Sequence, residues 1–492
     1  MSRGIRMSTE APVRRTRATA PPVAGPTRSA RSHRRRGRSF LLAFAGVAVL
    51  LAVAGLAGAA LSTAQGPRLT DAQVDPVAAA SASGARLIMT TSQALRDVEP
   101  DQVTITPATP FAVDTSGRSV GVRFALPLWD DTEYTVRISD VEGVGGGPAT
   151  TIEQTFRTGA AEFFLLQRGE DEDTIYRTDL TGEQAVPVFR HPHIEDYRAT
   201  SSHLVMSVRA GDDSGGMGPA ELIVSDLDGS NRRSLPLPGE GSITNLQSAE
   251  RGDLIGYTYT DDSLGAAGGR ESMLFTTSLR DGSAEPQAVE VTGADNRVAQ
   301  WRFVPATDSV LFVGFDGTLW LTDAAGGDAT SLGAALALDD VAAQGAVVDR
   351  ADGLVLLDLA DGSEAPLPSP DGEYGQLRTV QAVPGGGTLR LYAKLDDRGI
   401  PGESVVAWVD DDGASHPVAE VADTDTVIRT CVSPSGRYAA LAIAPDNIEN
   451  RYDTYLLPMP TRIESHIVEI ATGDEIVALS GLDSSWCRVP PQ

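Results

Sequence analysis

His191, His193, Glu195 and Asp196 crowd the six-residue stretch HPHIED, the densest group of metal-ligand side-chain types in the chain. On a strand, residues two apart share a face, so the two imidazoles would point together and open a two-histidine site for a divalent ion. Pro192 between them favours a loop, and no third ligand is specified. An ordinary polar connection is therefore expected, with no metal or cofactor, and with His191 and His193 as the only candidates for one. The acidic turns DEDT at Asp171 and DDDG at Asp410 fall short of a calcium loop, which needs a longer alternation of oxygen ligands ending in Glu. GVGGGP at Gly143 is not followed by a helix that would present its amides to a phosphate, so it is a turn. DDSGGMG at Asp212 and LGAAGG at Leu264 read as loops, of the kind that meet partners. GRSVG at Gly117 fits the G-x-S-x-G pattern but runs into the alternating stretch SVGVRF rather than a helix, so it does not form a nucleophile elbow, and no catalytic residue is assigned.

Charge divides the chain more sharply than any motif. The whole carries -27; the first 39 residues contribute 11 arginines against the single acid Glu10, so the remainder carries -37. Such an acidic field repels nucleic acid, which is excluded as a partner. Between the two parts lies Phe40 to Leu61, 22 residues without a charge, preceded by RRRGR at Arg34 to Arg38. At about 1.5 Å per helical residue this run reaches about 33 Å, the thickness of bilayer hydrocarbon. Residues 40–61 are expected to form one transmembrane helix, with residues 1–39 a disordered basic tail in the cytoplasm and all that follows extracytoplasmic. A cleaved secretory signal is the alternative, since Ser62, Thr63 and Ala64 are small, but its apolar core would be shorter.

Residues 62–85, rich in Ala, Ser, Gly and Pro, are expected to be a flexible linker. Period-2 alternation then begins: RLIMTT at Arg86, VTI at Val103, SVGVRF at Ser119, YTVRIS at Tyr134 and TIEQTFRT at Thr151. These are short strands of a small sandwich, with Val120, Val122 and Phe124 pointing inward. ITPATPF at Ile105, RFALPL at Arg123, TEYTVRI at Thr132 and TFRTG at Thr155 resemble the bacterial (SbsA-like) Ig-like domains of envelope proteins. The resemblance covers residues 86–159 and implies a spacer or adhesive module.

Beyond Gly159 the chain repeats itself. A polar turn ending in Gly follows a short strand seven times, at Gly182, Gly229, Gly282, Gly326, Gly362, Gly413 and Gly473, spaced 36 to 60 residues apart with a mean of 48.5. Four strands with turns fill such a unit, so residues 162–490 are expected to form a seven-bladed β-propeller, six or eight blades being the alternatives. SPSG at Ser433 and DLTG at Asp179 resemble the turns of TolB-type, WD40-like propeller repeats.

The first unit opens with FFLLQ at Phe163, the register of a second strand in the other units, and SWCRVP at Ser485 to Pro490 stands alone at the far end in the register of an inner strand. The C-terminal strand should therefore complete the first blade and close the ring. Cys431 and Cys487, the two cysteines, each lie three residues before a Pro on inner strands of adjacent blades. A disulfide between them is expected, two independent buried thiols being the alternative.

The fold class is thus all-β, a seven-bladed propeller preceded by a small Ig-like sandwich and one N-terminal transmembrane helix. The expected function is a non-enzymatic, membrane-anchored envelope protein whose propeller binds a protein, peptide or glycan, the sandwich serving as stalk. The alternative is a metal-dependent lyase or hydrolase using the propeller channel.

Overall fold

The structure, a computed structural model, describes residues 30–211, 217–250, 253–265, 269–342, 345–399 and 401–490. The expected disordered tail falls mostly on residues 1–29, outside the described residues, as does most of the DDSGGMG loop. The apolar run lies in the helix Ala30–Ala64. Its described side chains run unbroken from Phe40 to Leu56, all exposed. Among the described residues, no helix is long and apolar enough to cross a membrane.

Two sheets pack face to face at the start of the β region. One is ordered Leu69–Gln73, Arg86–Thr91, Ser119–Phe124, Phe111–Ser116; the other Val103–Thr106, Glu133–Val141, Thr150–Arg157. Val120, Val122 and Phe124 are fully buried with Leu87, Met89, Tyr134, Val136 and Ile138. The expected flexible linker needs correction. Leu69–Gln73 pairs antiparallel with Arg86–Thr91, and Pro76–Ser81 forms a short helix capped by Asp75, whose side chain accepts from the Val77 and Ala78 amides. Leu69, Ala72, Val74 and the fully buried Ala79 add to the core, which is enough apolar contact to hold a segment of low average hydrophobicity.

Among the described residues, seven further four-stranded antiparallel sheets follow. Six run in simple meander order; the first is ordered Val186–His191, Asp173–Asp179, Glu162–Gln167, Asp483–Ser484. The inner strands of blades 1 to 7 are Asp483–Ser484, Ile194–Ala199, Gly241–Ser248, Val298–Phe303, Ala337–Val341, Gln376–Ala382 and Thr426–Val432. The chain is a β-propeller closed by its own C-terminal end. The closing strand is shorter and earlier than the sequence suggests: Asp483 and Ser484 pair with Leu166 and Leu165, whereas Trp486 and Cys487 lie beyond the ladder. Trp486 packs on Phe163 and Tyr438, and Cys487 is disulfide-bonded to Cys431 across a Cα separation of 5.0 Å.

All seven Gly turns join the third strand of a blade to its fourth. Six of these glycines have positive φ, Gly282 being the exception. Several also meet the preceding blade: a Cβ on Gly229 would lie 1.7 Å from the Val188 carbonyl oxygen. The acidity of the turns is used locally. Asp179 Oδ1 accepts from the amides of Thr181 and Gly182, and Asp410 Oδ1 from those of Asp412 and Ala414.

The sandwich sits on one end of the propeller, the end formed by the loops between first and second strands. The Tyr438 hydroxyl donates to Asp130 Oδ1 at 3.0 Å, and Arg437 bonds Asp130 while lying 5.3 Å over the Trp129 ring. Ser83 Oγ donates to Glu250 in blade 3, and Leu126 faces Gly385 in blade 6. Blade 3 lies across the ring from blades 6 and 7, so the sandwich straddles that mouth. The opposite end, built from the blade-to-blade connections and the turns between second and third strands, is left open.

Candidate functional site

A belt of hydrogen bonds runs around the propeller axis, each inner strand gripping the next. Arg198 Nε donates to Leu246 O at 2.8 Å, and Gln247 Nε2 donates to Trp301 O at 2.7 Å. Gln300 Oε1 accepts from the Leu338 amide and Asp340 Oδ2 from the Ala382 amide. Gln381 Nε2 donates to Thr430 O, and Arg429 Nη1 donates to Asp483 Oδ1 at 2.8 Å. Asp483 Oδ2 then accepts from Arg198 Nη1 at 2.9 Å, and the circle is complete. Backbone groups that face a neighbouring blade have no ladder partner there, so side chains reaching across satisfy them.

Charge concentrates where the ring closes. Asp483 is 1 % exposed between Arg198 and Arg429, and Arg198 also pairs with Asp196 at 2.9 Å. Burial pushes the Asp196 carboxyl up, against the pull of Arg198, and lowers Arg429. On blades 4 and 5, burial brings Arg302 down to about 10; its Nη1 donates to Trp301 O, while among the described residues its Nε has no hydrogen-bond partner. Beside it, burial first and the Asp349 carboxylate second push Asp339 up to about 6, opposed by Arg302. None of these arginines stands in a motif; the available signal is an arginine on an otherwise apolar inner strand, as in QWRF.

The HPHIED stretch is split between two places. Asp196 faces the axis, whereas His191 ends the outer strand of blade 1 and Pro192 stops the ladder there. Instead of projecting beside His193, the His191 ring turns its Nδ1 to the His193 backbone, 3.1 Å from the amide. His193 Nε2 lies 2.9 Å from Glu195 Oε1, and its ring stacks on Tyr455 at 3.7 Å. Tyr455 belongs to the long insertion of blade 7, residues 445–463; its hydroxyl donates to Asp173 Oδ2 at 2.6 Å, and Arg168 covers its other side at 3.6 Å. Arg168 pairs with Asp453, and the Leu456 amide donates to Glu195. The two histidines are therefore part of a clasp that pins the insertion onto blades 1 and 2. Among the described residues, no three His, Cys, Asp or Glu side chains are placed to hold a metal ion.

The open end also carries a groove of about 700 Å³ between blades 5 and 6. Its walls are Pro368 and Pro370, the rings of Tyr374 and Tyr392 5.4 Å apart, and the buried Arg390, with Lys394 and Leu395 at the mouth. Arg390 donates to Pro368 O at 2.6 Å and to Thr388 Oγ1, and the Tyr374 hydroxyl bonds Ser415. Two aromatic faces beside prolines and a cation make a surface for a peptide or sugar ring. These residues are scattered over two blades, and no spacing in the chain announces them.

No family model matches the chain, and no curated protein matches it. Solved structures to which it is similar include the β-propeller domain of Cps50 (Swd1) from Myceliophteria thermophila, 15% identical over 60% of this chain and 87% of that one, with a TM-score of 0.38. A structure of prolyl endopeptidases is 11% identical over 76% of this chain and 50% of that one, with a TM-score of 0.44. A nidogen/laminin complex is 14% identical over 43% and 82%, with a TM-score of 0.28. At these identities and scores the likeness conveys no activity.

Proposed function

We propose that this is a membrane-anchored envelope protein, with its N-terminus in the cytoplasm, whose extracytoplasmic propeller binds a protein, peptide or glycan without catalysing a reaction. The sandwich, similar in its sequence to bacterial Ig-like domains, serves as the stalk, and the propeller is of the TolB-like kind. The observation that carries this reading is the seating of the sandwich across one mouth of the ring. It leaves the connections and the blade 5 to 6 groove at the other end free for a partner. The uncharged run Phe40 to Leu61 after the arginine-rich tail supports the anchor.

A photo-crosslinking residue at Asp397, on the open end, is expected to capture an envelope component in cells. The same residue at Gly362, in a turn on the sandwich end, is expected to capture none. Absence of any adduct at position 397, with the protein correctly exported, would overturn the reading.

The enzymatic alternative has one observation in its favour: the Asp339 carboxyl, at about 6, lies in the range useful for proton transfer near neutrality. It would act at the channel, so replacing Asp339 would abolish a turnover that replacing the groove tyrosines leaves intact.

A further inference from the structure

The exposed apolar side chains of the propeller are distributed unevenly. Leu264, Phe315, Leu336, Leu395, Ile448 and Tyr452 are all exposed, with Leu336 at 69%, Tyr452 at 65% and Ile448 at 97%. Every one lies in a blade-to-blade connection, or at a turn between second and third strands, and so at the open end. Leu456 and Leu457, in the insertion clasped onto blades 1 and 2, add to the same rim. Among the described residues, the other exposed large apolar side chains of the propeller are Val186 and Ile476, both on outermost strands. Turn positions of this kind are ordinarily polar, and apolar residues there do nothing for the core. Gathered at one end, they mark a surface that meets another molecule.

Charge selects the molecule. Exposed carboxylates stand between the apolar tips, among them Glu170, Asp171, Glu240, Asp262, Glu290, Asp316, Asp352, Glu373, Asp397, Asp423 and Glu449, and they outnumber the exposed cations there, which include Arg297, Lys394, Arg398, Arg451 and Arg462. The chain beyond residue 39 carries -37 as a whole. An anionic lipid surface or a second copy of this acidic chain meets repulsion at such a face; a cationic chain with apolar side chains meets attraction and burial together. The rim already holds a guanidinium on one of its rings: Arg297 lies 5.0 Å over Phe315. Tyr452, 65% exposed, is a second ring on which an arginine of a partner can stack.

We infer that the open end of the propeller docks a cationic polypeptide segment through the apolar rim running from Phe315 and Leu336 past Leu395 to Ile448 and Tyr452. This deepens the partner-binding reading and rests on it.

The test uses the full chain in neutral detergent and three fluorescein-labelled peptides. One alternates Lys and Leu around a single Tyr; the second has Glu for every Lys; the third has Ser for every Leu. Only the first is expected to bind tightly, and more weakly as salt rises, because the interface pairs charge as well as burying apolar surface. Leu336→Ser, Ile448→Ser and Tyr452→Ser combined should weaken it by at least about tenfold, the loss of a few buried anchors. Val186→Ser with Ile476→Ser should leave binding unchanged. Hydrogen exchange on the unaltered chain should show protection by the first peptide at residues 315, 336, 395 and 448–457. Equal binding by the two variants, protection elsewhere, or preference for the Glu peptide overturns the inference. Failure of all three peptides while a crosslinker at Asp397 still captures a partner overturns the cationic class alone and leaves the partner-binding reading standing.

Discussion

The indole of Trp486 lies 4.9 Å from the ring of Phe163, although the two residues sit at opposite ends of the propeller sequence. Between them they cover the Cys431–Cys487 bond, and Tyr438 stacks on the other side of the indole at 6.1 Å. The seam is thus built from four kinds of contact: a two-residue ladder, an aromatic stack, a covalent bond and the ion pairs of Asp483.

The covalent part closes a loop of 56 residues, which in the chain-entropy account is a contribution of about 4 kcal/mol. Cys431→Ser, or reduction of the intact chain, is expected to lower the denaturant midpoint accordingly while leaving the β signal in circular dichroism unchanged in dilute buffer. An unchanged midpoint would mean that the non-covalent contacts alone hold the ring.

Asp483 is the ionic part. Asp483→Ala leaves Arg198 and Arg429 buried without their shared carboxylate, a loss of about 3–5 kcal/mol. Asp483→Asn keeps an acceptor and should lose less. Urea unfolding of the two variants checks the order, and a loss below about 1 kcal/mol for the alanine variant would remove Asp483 from the closure.

Two glycines of the repeated turn separate backbone conformation from crowding. Gly362 has φ +74 with nothing within 4 Å of an added Cβ, whereas Gly229 has φ +79 and the Val188 carbonyl oxygen 1.7 Å away. Gly362→Ala should cost about 1 kcal/mol, the left-handed penalty alone. Gly229→Ala should cost more than about 3 kcal/mol, because blades 1 and 2 must part. Melting temperatures that fall equally would contradict this.

Asp339 sets a pH dependence. Its folded value of about 6 lies above the ordinary unfolded value of about 3.9, so the folded state binds the proton more tightly. The cost of keeping it charged is full above about pH 6 and fades as the pH falls towards about 4. Asp339→Asn should therefore stabilise by about 1–2 kcal/mol at pH 8 and not at pH 4. Denaturation at both pH values decides, and a gain confined to pH 4 would reverse the sign.

Arg437 carries the junction between sandwich and propeller through Asp130, Trp129 and Glu469. Arg437→Ala should leave the melting of the propeller within about 1 kcal/mol, since the pair is only partly buried. It should raise hydrogen exchange at residues 126–132. Unchanged exchange there would assign the seating of the sandwich to its other contacts.

Much of the architecture is legible in the chain because it is written in local signals. Alternating residues such as Val120, Val122 and Phe124 mark strands, and the spaced Gly turns count the blades, since six of the seven hold the left-handed conformation that favours glycine. The strands Leu69–Gln73 and Phe111–Ser116 escape that reading, the first because its side chains are mostly polar and are held by a neighbour rather than by their own pattern. HPHIED misleads for a related reason. Proximity in sequence brings ligand types together, but Pro192 turns the chain so that Asp196 faces the axis while His193 meets Tyr455 from more than 260 residues away.

Periodicity along the chain marks strands, a repeat near seven units and a leftover last strand to close the propeller, because each follows from residues close together or from one unmatched register, although that register points to Ser485–Pro490 and the strand that pairs is Asp483–Ser484. Which mouth the sandwich covers, where the buried arginines converge and which loop tips form a common apolar rim depend on residues hundreds of positions apart. Only closure of the ring brings those groups within a few ångströms of one another, and electrostatic and apolar interactions act only over that range.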